Sequence, residues 1–297
     1  MERNVRKVAV LGAGLMGHGI AQVAAQVGGY SVSMLDINQE LVDKGMAMIR
    51  GNLSSKFVER GKLSREEANV VIARVHPTID LSDAVAGSDI VIEAATEDPK
   101  LKLDLYKRVS ELVGEKTVVA SNTSSISITL LGSVMKRPEN VCGMHFFNPP
   151  QQMNLVEIVM GNKTSKETVD FVQSVSAKMG KETVLCRKDS PGFLVNRILV
   201  PALNEAVFLL QEGAADPEDI DKAIKLGLNW PMGPLQLLDY IGLDTELAIT
   251  QVFMQEFQDG KYRPSPLLRE MVRAGKLGRK TGRGFYGWSD VASTRPG

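Results

Sequence analysis

The sequence predicts an α/β chain: an N-terminal doubly wound, mostly parallel sheet with a helical hairpin inserted, followed by an all-helical C-terminal domain. Three observations carry this. Short apolar runs alternate with helical periods over the first half. A glycine turn joins the first run to the first helix. From about residue 190 onward helices follow one another with little strand signal until GFYGW near the end. The boundary is expected at 187–191, giving domains 1–189 and 190–297.

Residues 7–14, KVAVLGAG, read as strand then turn, and 15–28, LMGHGIAQVAAQVG, as a helix rich in small residues. YSVSMLD (30–36) is a second strand, and 38–74 hold two helical stretches interrupted near Gly61. DIVIEAA (89–95) is β-branched and apolar on both faces, as a buried parallel strand requires, and is the third strand expected. A helix near 100–113 leads to the strand TVVASN (117–122). VCGMHFF (141–147) and MNLVEIVM (153–160) are strands, 169–180 is helical, and TVLCRKD (183–189) is the last strand. A long apolar helix spans 191–213, with Pro201 predicting a kink. The next, 216–229, opens with Asp216 as N-cap and Pro217 at the first helical position. The apolar helices of the second part exceed what one small core can hold, which points to a homodimer interface there.

Hydrophobic content of 43% and charged content of 24% fit a globular chain that buries a core without staples. Lys+Arg and Asp+Glu balance at 35 each, so no overall field recruits nucleic acid or an anionic membrane. Two cysteines, Cys142 and Cys186, and three histidines make neither a disulfide framework nor a metal-ligand cluster. Both thiols are expected to be buried and reduced. The chain enters its first strand without an apolar leader, and no apolar run approaches membrane-spanning length, so a cytoplasmic setting is expected.

Gly12-Ala13-Gly14-Leu15-Met16-Gly17 is G-x-G-x-x-G between a predicted strand and a predicted helix, the Rossmann-type context that makes the motif informative. The glycines let the backbone turn tightly and approach a pyrophosphate lying on the helix N-terminus. Asp36 ends the second strand, roughly 20 residues on, where a carboxylate accepts from an adenosine ribose. An anion there repels a 2′-phosphate, so NAD is favoured over NADP, with FAD a lesser rival.

His145 sits near the end of one strand, in GMHFFNPP, and Asn148, Pro149 and Pro150 favour a turn beyond it. If the next strand returns antiparallel about Gln151, Glu157 falls opposite His145, with Cβ atoms about 4.5–5.5 Å apart. A carboxylate there orients the ring and stabilises the imidazolium, as a general base needs. A lone histidine on an apolar strand is more often core filling; the facing Glu157 and the neighbouring dinucleotide turn reverse those odds. Residues 121–125, SNTSS, follow a parallel strand at the ligand-binding edge of such a sheet, and one or two of their hydroxyls are expected to cap a helix. Asn196 lies early in helix 191–213, either as a solvated polar position or facing a cleft at the domain junction.

GAGLMGHGIA, SNTSSISI, HFFNPP followed by LVEIV, SPGFLVNR, GLNWPMGPLQLLDYIGLD and KTGRGFY together resemble the L-3-hydroxyacyl-CoA dehydrogenases, in order over nearly the whole chain. The resemblance is nearest to the short bacterial type that acts on 3-hydroxybutyryl-CoA. It implies NAD-dependent, reversible oxidation of a (3S)-3-hydroxyacyl-CoA to the 3-ketoacyl-CoA. It places the catalytic base on His145, its acid partner on Glu157, and substrate contacts on Ser124 and Asn196. It places NAD contacts on the Gly12–Gly17 turn, including Leu15 and Met16, and on Asp36, Glu97, Lys102, Ser124 and Asn148. The family's CoA-binding hairpin matches 40–74; there Lys56 is the best phosphate partner, though with Arg60 and Lys62 it equally suits an ordinary solvated face. Two rivals share the fold: a sugar-acid dehydrogenase of the L-gulonate type, and a non-catalytic NAD-binding structural protein. Intact His145, Glu157, Ser124 and Asn196 weigh against the second.

Overall fold

The computed structural model describes residues 5–288 and divides into two compact units, Met1–Phe193 and Leu194–Gly297. The first is built on one eight-stranded sheet of order β3-β2-β1-β4-β5-β6-β7-β8. Its strands are β1 (Lys7–Leu11), β2 (Ser31–Leu35), β3 (Val75–Thr78), β4 (Ile90–Glu93), β5 (Val118–Ser121), β6 (Val141–Phe146), β7 (Leu155–Met160) and β8 (Glu182–Cys186). Every neighbouring pair is parallel except β6 and β7. The order reverses between β1 and β4, so the loops leaving those strands part and open a crevice at their carboxyl ends.

Helices cover both faces. α1 (Gly17–Gln26), α2 (Gln39–Leu53), α3 (Arg65–Ala73) and α7 (Lys166–Lys178) pack on one side, where Val8, Val10, Ile20, Ile49, Ile92 and Val172 are buried. α4 (Leu81–Val85), α5 (Pro99–Leu112) and α6 (Ile128–Gly132) cover the other, over Ala9, Leu11, Val91 and Val119. Burial of β4 on both faces explains its uninterrupted apolar run. Helix starts follow local chemistry. Asn38 accepts from Leu41 N, Ser64 and Glu67 form a capping box, and Asp98 accepts from Lys100 N and Leu101 N with Pro99 at the first position.

Three local expectations are corrected. β3 had no counterpart in the sequence reading, because only Val75 of its four residues is buried and Pro77 suits an edge strand alone. The interruption near Gly61 is wider than expected: a π-helical turn, Ser54–Val58, follows α2 directly, and α3 begins only at Arg65. Hydroxyls of the 121–125 segment do not cap α6; Ser127 does, accepting from Leu130 N. Thr123 Oγ1 instead accepts from Ser125 N and Ile126 N and closes a turn.

The second unit is helical: α8 (Val195–Gln211), α9 (Pro217–Gly227), α10 (Pro234–Ile241), α11 (Leu243–Phe257) and α12 (Pro266–Arg273). Pro201 lies inside α8 without ending it, and Asp216 and Pro217 stand at the N-cap and first turn of α9 as expected, the Asp216 side chain making no cap bond. Two buried carboxylates organise the unit. Asp221 accepts from Leu235 N, Gln236 N and the Tyr286 hydroxyl; Asp239 accepts from Phe285 N, Tyr286 N and Trp288 Nε1. GFYGW therefore forms no strand within the described residues: it is folded around Asp239, with single bridges at Gly278, Arg283 and Gly287. Cys142 and Cys186 are free and buried. Among the described residues no helix is long and apolar enough to cross a membrane, and no cluster of His, Cys, Asp or Glu could hold a metal ion.

Glu246, in the first turn of α11, is 1% exposed, and neither carboxyl oxygen has a hydrogen-bond partner. Burial pushes its pKa up to about 8. The folded unit thus keeps the proton to about pH 8, while the unfolded chain releases it near 4.5. The stability this group contributes is full below that lower value and falls as pH rises across the window. Glu246→Gln, which keeps the shape and removes the titration, is expected to gain thermal midpoint relative to the parent protein as pH is raised from about 4.5 to about 8. A difference that stays constant with pH would overturn this account.

Candidate active site

The turn after β1 is forced by contacts within the protein. Gly12 has φ +110°, and a Cβ there would lie 2.5 Å from Ala94 O. A Cβ on Gly17 would lie 1.8 Å from Gly12 O. At Gly14 a Cβ would meet nothing within 4 Å, so this glycine is not required by the fold and leaves the backbone open to an approaching group. Leu15 and Met16 complete the turn, Leu15 being 62% exposed. α1 begins at Gly17 with no side-chain cap; His18 N donates back to Gly14 O, and the positive end of the helix dipole faces the turn, where it favours an anion.

Asp36 follows β2 and is held firmly. Its Oδ2 accepts from Ala13 N at 2.8 Å and its Oδ1 from Ile37 N at 2.7 Å. A cavity of about 640 Å³ lies beside it, lined among others by Gly12, Gly14, Asp36, Ile37, Leu101 and Lys102. The exposed apolar rims, Ile37 and Leu101, suit a flat aromatic base, and the carboxylate suits ribose hydroxyls. These residues fit an adenine dinucleotide.

Further along the same edge, Glu93 ends β4 fully buried and gathers three donors. It accepts from Lys102 Nζ at 2.5 Å, Ala95 N at 2.7 Å and Ser121 Oγ at 2.7 Å. Lys102 is 1% exposed and also reaches Glu97 at 3.4 Å. Glu97 accepts from Thr123 Oγ1 at 2.9 Å and Ser124 N at 2.8 Å, while Ser124 Oγ stands 3.4 Å from it. Glu97, Lys102 and Ser124 are thus one wired group. Asn122 Oδ1 accepts from Phe146 N at 2.9 Å and ties this loop to the end of β6.

On β6, His145 stands in register with Glu157 of β7. Its Nδ1 lies 2.7 Å from Glu157 Oε2; the ring is 7% exposed and the carboxylate fully buried. An ionised carboxylate only accepts, so Nδ1 carries the hydrogen and Nε2 is left with its lone pair. Phe147 and Phe193 pack on the imidazole with centroids at 4.7 and 5.6 Å, which fixes the ring plane. Asn148 is exposed just beyond.

The sheet edge therefore gathers the glycine turn, Asp36, Glu97, Lys102, Ser124, His145, Glu157 and Asn148. Lys56 is not among them: it is exposed on the π-helical turn with Arg60 nearby. Asn196 lies in the first turn of α8, in the second unit. Sequence reasoning missed Glu93 and Asn122. A carboxylate closing an otherwise apolar parallel strand was the signal for the first, and an amide directly after a strand end for the second.

This arrangement defines a dinucleotide-binding dehydrogenase domain carrying a histidine–carboxylate pair. A model of the 3-hydroxyacyl-CoA dehydrogenase NAD binding domain matches residues 7–190, and one of the 3-hydroxyacyl-CoA dehydrogenase C-terminal domain matches 192–288. The chain belongs to the 3-hydroxyacyl-CoA dehydrogenase family, and NAD is its cofactor. It is 51% identical over 280 residues to a Deinococcus radiodurans protein named "Probable 3-hydroxybutyryl-CoA dehydrogenase", covering 94% of this chain and 99% of the relative. It is 47% identical to the 3-hydroxybutyryl-CoA dehydrogenase of Clostridioides difficile, with 95% and 99% covered. The crystal structure of (S)-3-hydroxybutyryl-CoA dehydrogenase from Ralstonia eutropha superposes with a TM-score of 0.92 at 48% identity, covering 97% of this chain and all of that one.

The glycine geometry separates fold from binding. Gly17→Ala is expected to lower the thermal midpoint. Gly14→Val is expected to leave it nearly unchanged while weakening NADH binding by about tenfold or more, roughly 1.4 kcal/mol. Fluorescence titration with thermal melts checks both; equal loss of stability in the two variants would contradict the assignment.

Proposed function

We propose that the protein oxidises a short-chain (3S)-3-hydroxyacyl-CoA, 3-hydroxybutyryl-CoA foremost, to the 3-ketoacyl-CoA, reversibly and with NAD. The observation that carries this reading is the 2.7 Å His145–Glu157 pair on the sheet edge that also bears the dinucleotide turn. NAD supplies the hydride acceptor when bound. His145 Nε2 takes the proton of the 3-hydroxyl as the C3 hydride leaves, and positive charge appears on the ring. Glu157, fully buried and bonded to Nδ1, balances that charge and keeps the ring from turning. Ser124 and Asn196 serve as substrate-holding groups. Asp36, Glu97, Lys102, Ser124, Asn148 and the turn from Gly12 to Gly17 hold the cofactor. Lys56 answers a phosphate of CoA, supported by its exposure on the α2–α3 excursion.

The reading extends to a homodimer formed through the second unit. Support comes from apolar side chains left exposed there: Ile198 at 75%, Leu226 at 76% and Leu228 at 62%. A cytoplasmic setting accords with two free, buried thiols.

His145→Gln is expected to lower turnover with acetoacetyl-CoA and NADH by roughly 10²–10⁴-fold, with little change in NADH affinity. Near-normal turnover would remove His145 from the mechanism. Sedimentation of the parent protein is expected to give a dimer, and Ile198→Asp to shift it toward monomer; a monomeric parent would refute the interface.

A further inference from the structure

The turn between β6 and β7, residues 148–153, carries Asn148 at its exposed start and is held at its buried middle by a residue with no part in the chemistry above. Lys181, just before β8, is 8% exposed. Its Nζ donates to Pro150 O at 2.6 Å and to Met153 O at 2.8 Å. No carboxylate among the described residues pairs with it. A buried ammonium without a counter-ion is costly, and charge-assisted bonds to carbonyls are what compensate it here. Desolvation holds its pKa below the ordinary lysine value. A norleucine-like side chain would fill the same space without that penalty, so packing alone does not account for a cation at this position.

The other side of the turn is seated on the dinucleotide helix. A Cβ on Gly19 of α1 would come within 2.9 Å of Gln151 Oε1 and of Pro150 Cδ. Gln151 Nε2 donates to Gln22 Oε1 at 3.3 Å, and Gln22, fully buried, donates onward to Asn52 Oδ1 of α2 at 3.0 Å. The turn is therefore gripped between α1 and the Lys181 ammonium. One end of it is His145's strand, and Asn148 is exposed there, as Gln152 and Met153 are further along.

We infer that Lys181 is a positioning residue for the cofactor: through the carbonyls of Pro150 and Met153 it presses the 148–153 turn onto α1 and so sets the place of Asn148. This rests on the proposed role of Asn148 as an NAD contact. The two long-range tethers act on backbone, so they fix the turn whatever its side chains do, and they leave the α2–α3 excursion largely untouched. Loss of the ammonium should loosen Asn148 and weaken cofactor binding, with the acyl-CoA side little affected.

The test is a double-mutant cycle read by NADH fluorescence titration. Lys181→Met removes the donors at similar length; Asn148→Ala removes the contact. Each single variant is expected to raise the NADH Kd by about tenfold, and the double variant by no more than either. The KM for acetoacetyl-CoA at saturating NADH is expected to stay within about twofold, a split that general loss of structure would not produce. Lys181→Gln, which keeps an N–H donor for the same carbonyls, is expected to lose less, and it carries the comparison if the methionine variant does not fold. An unchanged Kd in the Lys181 variants, or additive losses in the double variant, would overturn the inference while leaving the Asn148 contact standing. An unchanged Kd in Asn148→Ala would defeat the Asn148 reading, and the inference with it.

Discussion

The reversal of chain direction at β7 is the constraint on which the proposed chemistry depends. β1, β4, β5 and β6 run parallel and deliver their following loops to one edge of the sheet. β7 returns antiparallel to β6 after a short turn, and only so can a residue twelve positions along the chain stand across from His145. A parallel return would need a crossover of a dozen or more residues and would bring a different register. The pairing is also unforgiving. A slip of one residue would send Glu157 to the opposite face and strand a fully buried carboxylate away from its imidazole.

The sheet edge is lined with carboxylates, yet its ligand carries phosphates. The structure reconciles the two by giving each carboxylate its own donors. Asp36 is engaged by two backbone N–H groups, Glu93 by Lys102, Ala95 N and Ser121, Glu97 by Thr123 and Ser124 N, and Glu157 by His145. Lys102 offsets the charge of Glu93, neutral donors hold the other carboxylates in fixed directions, and the start of α1 supplies the attraction for a pyrophosphate. The same bonds make the edge rigid, which matters where a hydride and a proton must leave neighbouring atoms in one alignment.

Much of this was legible in the order of residues because it rests on local rules. Glycines between a strand and a helix, an acidic residue at the end of the next strand, and a Pro/Asn turn between two apolar runs each have one physical meaning. The His145–Glu157 register followed from that turn and from the two-residue period of strands. Other features depend on distant partners. β3 was missed because an edge strand with one buried residue leaves no periodic trace. GFYGW reads as strand by composition, but Asp239, more than forty residues earlier, claims its N–H groups. The capping of α6 falls to Ser127 because the helix starts only at Ile128, beyond the separate turn that Thr123 Oγ1 closes. Glu93 and Lys181 are single polar residues whose meaning appears only when folding assembles their donors and acceptors.

The way Asp36 is anchored bears on how easily this protein could change its choice of cofactor. Removing the carboxylate would relieve repulsion of a 2′-phosphate, but it would also release Ala13 N, the amide between the first two glycines of the motif. Coenzyme discrimination and the shape of the glycine turn are therefore not independent variables in this chain. A variant re-engineered for the phosphorylated coenzyme needs a substitute acceptor for that amide as well as a cation for the phosphate, and a single exchange at position 36 trades one defect for another.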